Sequence, residues 1–117
     1  MIIGKTFKFE AAHHLPGHEK CGKVHGHTYK LTVEVEGKLN EYGMVMDLHA
    51  LSEIVQKAIC TYDHRDLNEQ FLFPTCENLV EVIWNDLFDA IDGGGYGVRL
   101  YSIQLQEGEG GYARKER

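Results

Sequence analysis

Long apolar runs are missing from this 117-residue chain, and nothing in it approaches the ~20 consecutive apolar residues of a membrane-spanning helix. Basic charge is also scarce. Lys and Arg number 12 against 18 Asp and Glu, and a formal net charge of −6 argues against a general nucleic-acid binder. Cysteine is sparse and odd in number: three residues, at no disulfide-like spacing, which suits a reducing cytoplasm. The start, Met1-Ile2-Ile3-Gly4-Lys5, lacks the pattern of a signal peptide and leads directly into a strand. No internal repeat, linker or low-complexity segment breaks the chain. What remains, 43% hydrophobic and 26% charged, is the composition of an ordinary globular chain forming one domain over residues 1–117. A cytosolic small-molecule enzyme fits, and so does a small interaction module.

The elements follow from periodicity. Thr6-Phe7-Lys8-Phe9-Glu10-Ala11 alternates polar and apolar, as a half-buried strand does, and it delivers His13 to the strand end. Leu15 to Val24, with Pro16, Gly17 and Gly22, is a polar loop. Thr28 to Glu36 is the clearest strand, with Tyr29, Leu31, Val33 and Val35 on one face. Asp47 caps a first helix whose stripe is Leu48, Leu51, Val55, Ala58 and Ile59. Thr75 caps a second, with Glu77 in its first turn, and Asp92-Gly93-Gly94-Gly95 ends it. Arg99 to Glu107 is a third strand, with Tyr101, Ile103 and Leu105 on one face. Tyr112-Ala113-Arg114 is a short fourth. The order ββααββ predicts an α+β fold: a four-stranded antiparallel sheet with two helices on one face. Such a sheet leaves two edges to satisfy, and self-association is the expected remedy.

The chemistry gathers around the histidines, of which the chain has seven. In a strand, residues two apart point the same way, so His25 and His27 present two imidazoles on one face. Antiparallel pairing of the first two strands brings His13 toward them, with loop residue His18 as its rival for third ligand. Three protein nitrogens leave one coordination position open, the arrangement of a catalytic zinc. Cys21 lies four residues before His25, within reach of a metal that would lower its thiol pKa. Cys60 and Cys76 read as helix residues. Asp63-His64 is weaker evidence alone, because neighbours in extended chain face opposite ways. Glu107, just before a glycine turn, reads equally as a surface carboxylate or as a partner for a guanidine-like edge.

Taken in sequence, these pieces carry more. Phe9-Glu10-Ala11-Ala12-His13, Cys21-x-x-x-His25-Gly26-His27, Gly43-Met44-Val45-Met46-Asp47, Asp63-His64, Pro74-Thr75-x-Glu77 and Glu107 succeed one another along the chain. The pattern resembles the 6-pyruvoyl-tetrahydropterin synthase / 6-carboxytetrahydropterin synthase family over essentially the whole length. That resemblance implies the tunnelling fold and a homohexamer made of two stacked trimers, with active sites between subunits. It implies zinc on His13, His25 and His27, and a catalytic Cys21. It also implies an Asp63-His64 pair arriving from an adjacent subunit, and Glu107 anchoring the pterin edge. Thr75 and Glu77 fall near the pterin pocket by the same comparison.

The implied substrate is 7,8-dihydroneopterin triphosphate, with no nucleic acid or membrane as partner. The short Cys21-to-His25 spacing resembles the 6-carboxy branch, which loses triphosphate and acetaldehyde and feeds 7-deazaguanine (queuosine) synthesis. The 6-pyruvoyl activity is the alternative, and a zinc-bearing pterin-binding protein without activity is a third reading. An unrelated metal hydrolase would share the three histidines but not the need for Glu107. Cys21 speaks against the variant branch that carries glutamate there. Gly108 stands where a hydroxyl residue usually follows the anchoring glutamate. Lys20, Lys23, Lys30 and Arg65 are the cations available for a triphosphate.

Overall fold

A computed structural model describes residues 1–117. Two long strands, β1 (Ile2–His13) and β2 (His25–Glu36), pair antiparallel along their whole length, in a register ending at His13 opposite His25. Helix α1 (Leu48–Ile59) follows, started by the Asp47 carboxylate, which accepts from the His49 N–H at 2.9 Å. A two-residue strand β3 (Arg65–Asp66) leads to a 3-10 turn (Leu67–Glu69) and then to helix α2 (Cys76–Asp92). The chain closes with β4 (Arg99–Glu107) and β5 (Tyr112–Glu116).

The sheet corrects the four-stranded antiparallel expectation. It has five strands in the order β3-β1-β2-β4-β5, and β3 runs parallel to β1, pairing Arg65 with Ala11 and Asp66 with Ala12. Arg65-Asp66 is too short to carry an apolar period, so nothing in its residues announces a strand. Polar contacts impose the pairing instead, with the Asp63 carboxylate accepting from the Glu10 N–H at 2.9 Å. A second correction concerns β4. The β2–β4 register shifts between Glu34 and Val35, so that Ser102 and then Leu100 are paired and Tyr101 is passed over. This bulge inserts one residue and reverses the alternation, putting Leu100 in the core in place of Tyr101.

Both helices cover one face of the sheet. Phe7, Phe9, Tyr29, Leu31, Val33, Ile103 and Leu105 pack there against Leu51 and Val55 of α1 and Leu79, Ile83 and Leu87 of α2. Each large apolar side chain so buried contributes about 1.5–3 kcal/mol relative to exposure. The opposite face is left open and polar, with Thr6 and Lys8 of β1 beside Thr32 and Lys30 of β2. Alternation carries the helix-facing set straight on from Phe9 and Tyr29 to Ala11, His13, His27 and His25. The core therefore ends in imidazoles.

Candidate active site

His13, His25 and His27 form a cluster whose ligand atoms all lie within 4.8 Å of one another. His13 is buried, with 1% exposure, and its Nδ1–H donates to the Pro74 carbonyl at 2.8 Å. His25 Nδ1–H donates to the Lys23 carbonyl at 2.7 Å. A carbonyl can only accept, so both rings carry their proton on Nδ1 and offer a lone pair at Nε2. Those two Nε2 atoms stand 3.1 Å apart. Two lone pairs facing each other repel unless a cation lies between them. Nitrogens bound at ~2.0–2.1 Å to one tetrahedral zinc would sit roughly 3.3 Å apart. His27 Nε2 is buried without a hydrogen bond. The Glu107 oxygen stands 3.0 Å from it, but out of line for donation. An orphaned buried nitrogen beside two converging lone pairs fits a metal ion. Desolvation holds the His27 pKa below the ordinary 6.5, as do the neighbouring imidazoles, while Glu107 opposes them. Neutral imidazole is the ligating form.

Glu107 shares this face because β4 pairs it with Tyr29. With His27, Cys76, Glu77 and the turn Gly108–Tyr112 it lines a cleft of about 460 Å³. Gly108 has φ of +59°, left-handed backbone that favours glycine over the hydroxyl residue usual there, and its N–H donates to the Thr28 carbonyl at 2.9 Å. Glu77 enters the cleft from the first turn of α2. Thr75 does not line it: its Oγ1 accepts from the Asn78 N–H at 3.1 Å and caps the helix. Burial pushes the Cys76 thiol up to about 11, and its Sγ–H donates to the Leu105 carbonyl at 3.1 Å.

Asp63 and His64 lie elsewhere. His64 takes a left-handed backbone, φ 59°, and this folds its ring back onto its neighbour: Nδ1 sits 2.9 Å from Asp63 Oδ1. The expectation that adjacent residues face apart fails here because the chain is not extended. His64 borders a second cleft, of about 480 Å³, lined also by Glu10, Thr28 and Arg65. Glu10 and Thr28 belong to the open face of the sheet, and His27 is the member of the cluster that borders both clefts. His64 is 78% exposed, and no hydrogen bond or ion pair joins it to the three imidazoles. Cys21 sits in the loop before β2, half-buried; its N–H donates to His18 Nδ1 at 2.9 Å and its carbonyl accepts from Leu15. His18 thus braces the loop and is not in the cluster. The carbonyls of Pro74 and Lys23, which set the tautomers, escaped the sequence reading because a backbone oxygen carries no residue signature.

Fold and site together define a small α+β protein with a three-histidine site able to hold a metal. Residues 2–117 match the sequence profile of 6-pyruvoyl tetrahydropterin synthase. A protein of Archaeoglobus fulgidus, provisionally named 6-carboxy-5,6,7,8-tetrahydropterin synthase, is 43% identical over 117 residues, covering 100% of this chain and 96% of its own. The dihydroneopterin monophosphate aldolase of Pyrococcus furiosus is 36% identical over 100 residues, 86% of this chain and 83% of its own. The solved 6-pyruvoyl tetrahydropterin synthase of Caenorhabditis elegans superposes with a TM-score of 0.87 at 23% identity, over 100% of this chain and 95% of that one. The chain belongs to the 6-pyruvoyl tetrahydropterin synthase family, and is an enzyme, a tetrahydropterin-synthase lyase.

Proposed function

We propose that the chain converts 7,8-dihydroneopterin triphosphate and water to 6-carboxy-5,6,7,8-tetrahydropterin, triphosphate and acetaldehyde. The observation that carries this is the convergence of three imidazoles beside Glu107 at the end of one sheet face. The branch rests on the short Cys21-to-His25 spacing and on the name of the Archaeoglobus relative. Zinc on His13, His25 and His27 would supply Lewis acidity to the side-chain hydroxyls and acidify the adjoining C–H. Glu107 pairs its two oxygens with the 2-amino and N3 donors of the pterin, with Glu77 along the same wall. Cys21 takes a proton as thiolate. His64, oriented through Nδ1 by Asp63, gives and receives protons at Nε2.

Because His64 borders the other cleft, we assign it to the cluster of a neighbouring subunit in a homohexamer made of two trimers. The β1 edge that β3 leaves unpaired and the outer edge of β5 are free for such contacts. The chain is also drawn out, with a radius of gyration of 15.2 Å against roughly 13.4 Å for a compact chain of this length. All three cysteines are free, which agrees with a cytoplasmic setting.

The test is to incubate zinc-loaded protein with 7,8-dihydroneopterin triphosphate, without reductant, and identify products by mass spectrometry. The 6-carboxy product with acetaldehyde is expected. A 6-pyruvoyl product retaining every side-chain carbon would move the protein to the biopterin-type branch, and no turnover would sink the proposed reaction.

A further inference from the structure

His13 is the last residue of β1, and the β1–β2 ladder stops there, at His13 opposite His25. On the other edge, β3 pairs only with Ala11 and Ala12. A metal ligand at such a doubly terminal position would fray unless something beyond it held the chain. Asn68 does so. Its Oδ1 accepts from the His14 N–H at 2.8 Å and its Nδ2 donates to the His14 carbonyl at 2.9 Å. A primary amide offers one acceptor and donors side by side, the same pair a strand residue offers, so the side chain extends the β3 ladder by one rung. The reversed amide would set donor against donor and acceptor against acceptor, so this orientation is the one that satisfies both bonds. Asn68 is itself fixed, its N–H donating to Asp66 Oδ1 at 3.0 Å. Six residues on, the same segment supplies the Pro74 carbonyl that sets the His13 tautomer.

We infer that Asn68 is a positioning residue for the His13 ligand, acting through the backbone of His14. The inference rests on the metal-site reading above. A loop staple with no such role has a ready comparison nearby: Gln70 Nε2 donates to the Thr61 carbonyl at 2.9 Å, away from the end of β1.

The decisive measurement is zinc affinity by competition with a chromophoric chelator, well below the unfolding temperature, for wild type and the Asn68→Ala, Asn68→Asp and Gln70→Ala variants. Each is first checked by circular dichroism and sizing. Outer residues that orient metal ligands are typically worth about 10–100-fold in affinity. Asn68→Ala is therefore expected to weaken zinc by at least ~10-fold. Asn68→Asp, which sets a carboxylate against the His14 carbonyl, should weaken it as much or more. Gln70→Ala should shift the melting temperature while leaving affinity within ~2-fold. Backbone amide exchange at His14 in the metal-free protein should speed up in both Asn68 variants. Folded Asn68→Ala protein binding zinc as wild type does would overturn the role of Asn68 and leave the three-histidine site standing. Wild type that binds no zinc, like a His13→Ala control, would overturn both.

Discussion

Residues 8 and 9 are neighbours in β1, yet they belong to different proteins in physical terms. Phe9 is buried against Tyr29, ring centroids 5.0 Å apart, while Lys8 stands exposed on the open face directly opposite Lys30. The helix-covered face is a packed core that runs without a break into the imidazole cluster. The open face is a lattice of Thr6 with Thr32 and Glu10 with Thr28, its hydroxyls and carboxylates bonded across the strands. One face stores the stability and ends in the metal-capable site, and the other is built for water or for a neighbouring chain. A period of two residues along the same strands is enough to write both.

The sharpest way to break that contrast is at the end of the covered face. His27→Ala should abolish metal retention and lower turnover by at least about 10³-fold, since a bound metal contributes several kcal/mol to such reactions. Metal analysis with steady-state kinetics on the purified variant checks both effects. Farther into the same face, Phe9→Ala should cost about 3–5 kcal/mol, seen as a lower urea midpoint with unchanged slope. One position away, Lys8→Thr removes a like-charge pair and should stabilise by less than ~1 kcal/mol in the same titration. If substitutions at 8 and 9 cost alike, the two-faced description is wrong.

A smaller effect concerns pH. Burial raises the Cys76 thiol from 9.0 to about 11, so between those values the unfolded chain loses a proton that the folded chain keeps. Stability from this group is complete below pH 9 and declines as pH climbs toward 11. Alkylation with iodoacetamide at pH 8 should accordingly label exposed Cys60 well before Cys76.

Much of this was legible in the residues because the alternation is clean where the strands are long. Tyr29 to Val35 declared both the buried face of β2 and, by continuation, the side on which His27 and His25 fall. Both helices matched their caps, Asp47 and Thr75, and most of their apolar stripes, but Leu48 and Ala90 lie exposed while Val80 and Trp84 join the core. The losses in the sheet and at Asp63-His64 share one physical origin, namely places where backbone or side-chain polar bonds override the period. Arg65-Asp66 became a strand through contacts made by its flanks. Tyr101 left the core because a bulge shifted the phase, and Asp63 met His64 because one residue adopted a left-handed turn. None of these leaves a mark in apolar spacing. The proposed assembly is likewise unwritten in it, since an exposed edge states a need without naming what meets it.

The left-handed backbone at His64 has a last consequence. A non-glycine residue there sacrifices roughly 1–2 kcal/mol relative to ordinary backbone, and glycine would recover part of it. His64→Gly should therefore fold at least as well as wild type while lacking the ring that Asp63 orients. Variants selected only for heat resistance would drift toward glycine or asparagine at position 64, and, under the proton-transfer role proposed for His64, selection on turnover would pull them back. On that proposal, durability and chemistry compete for a single residue.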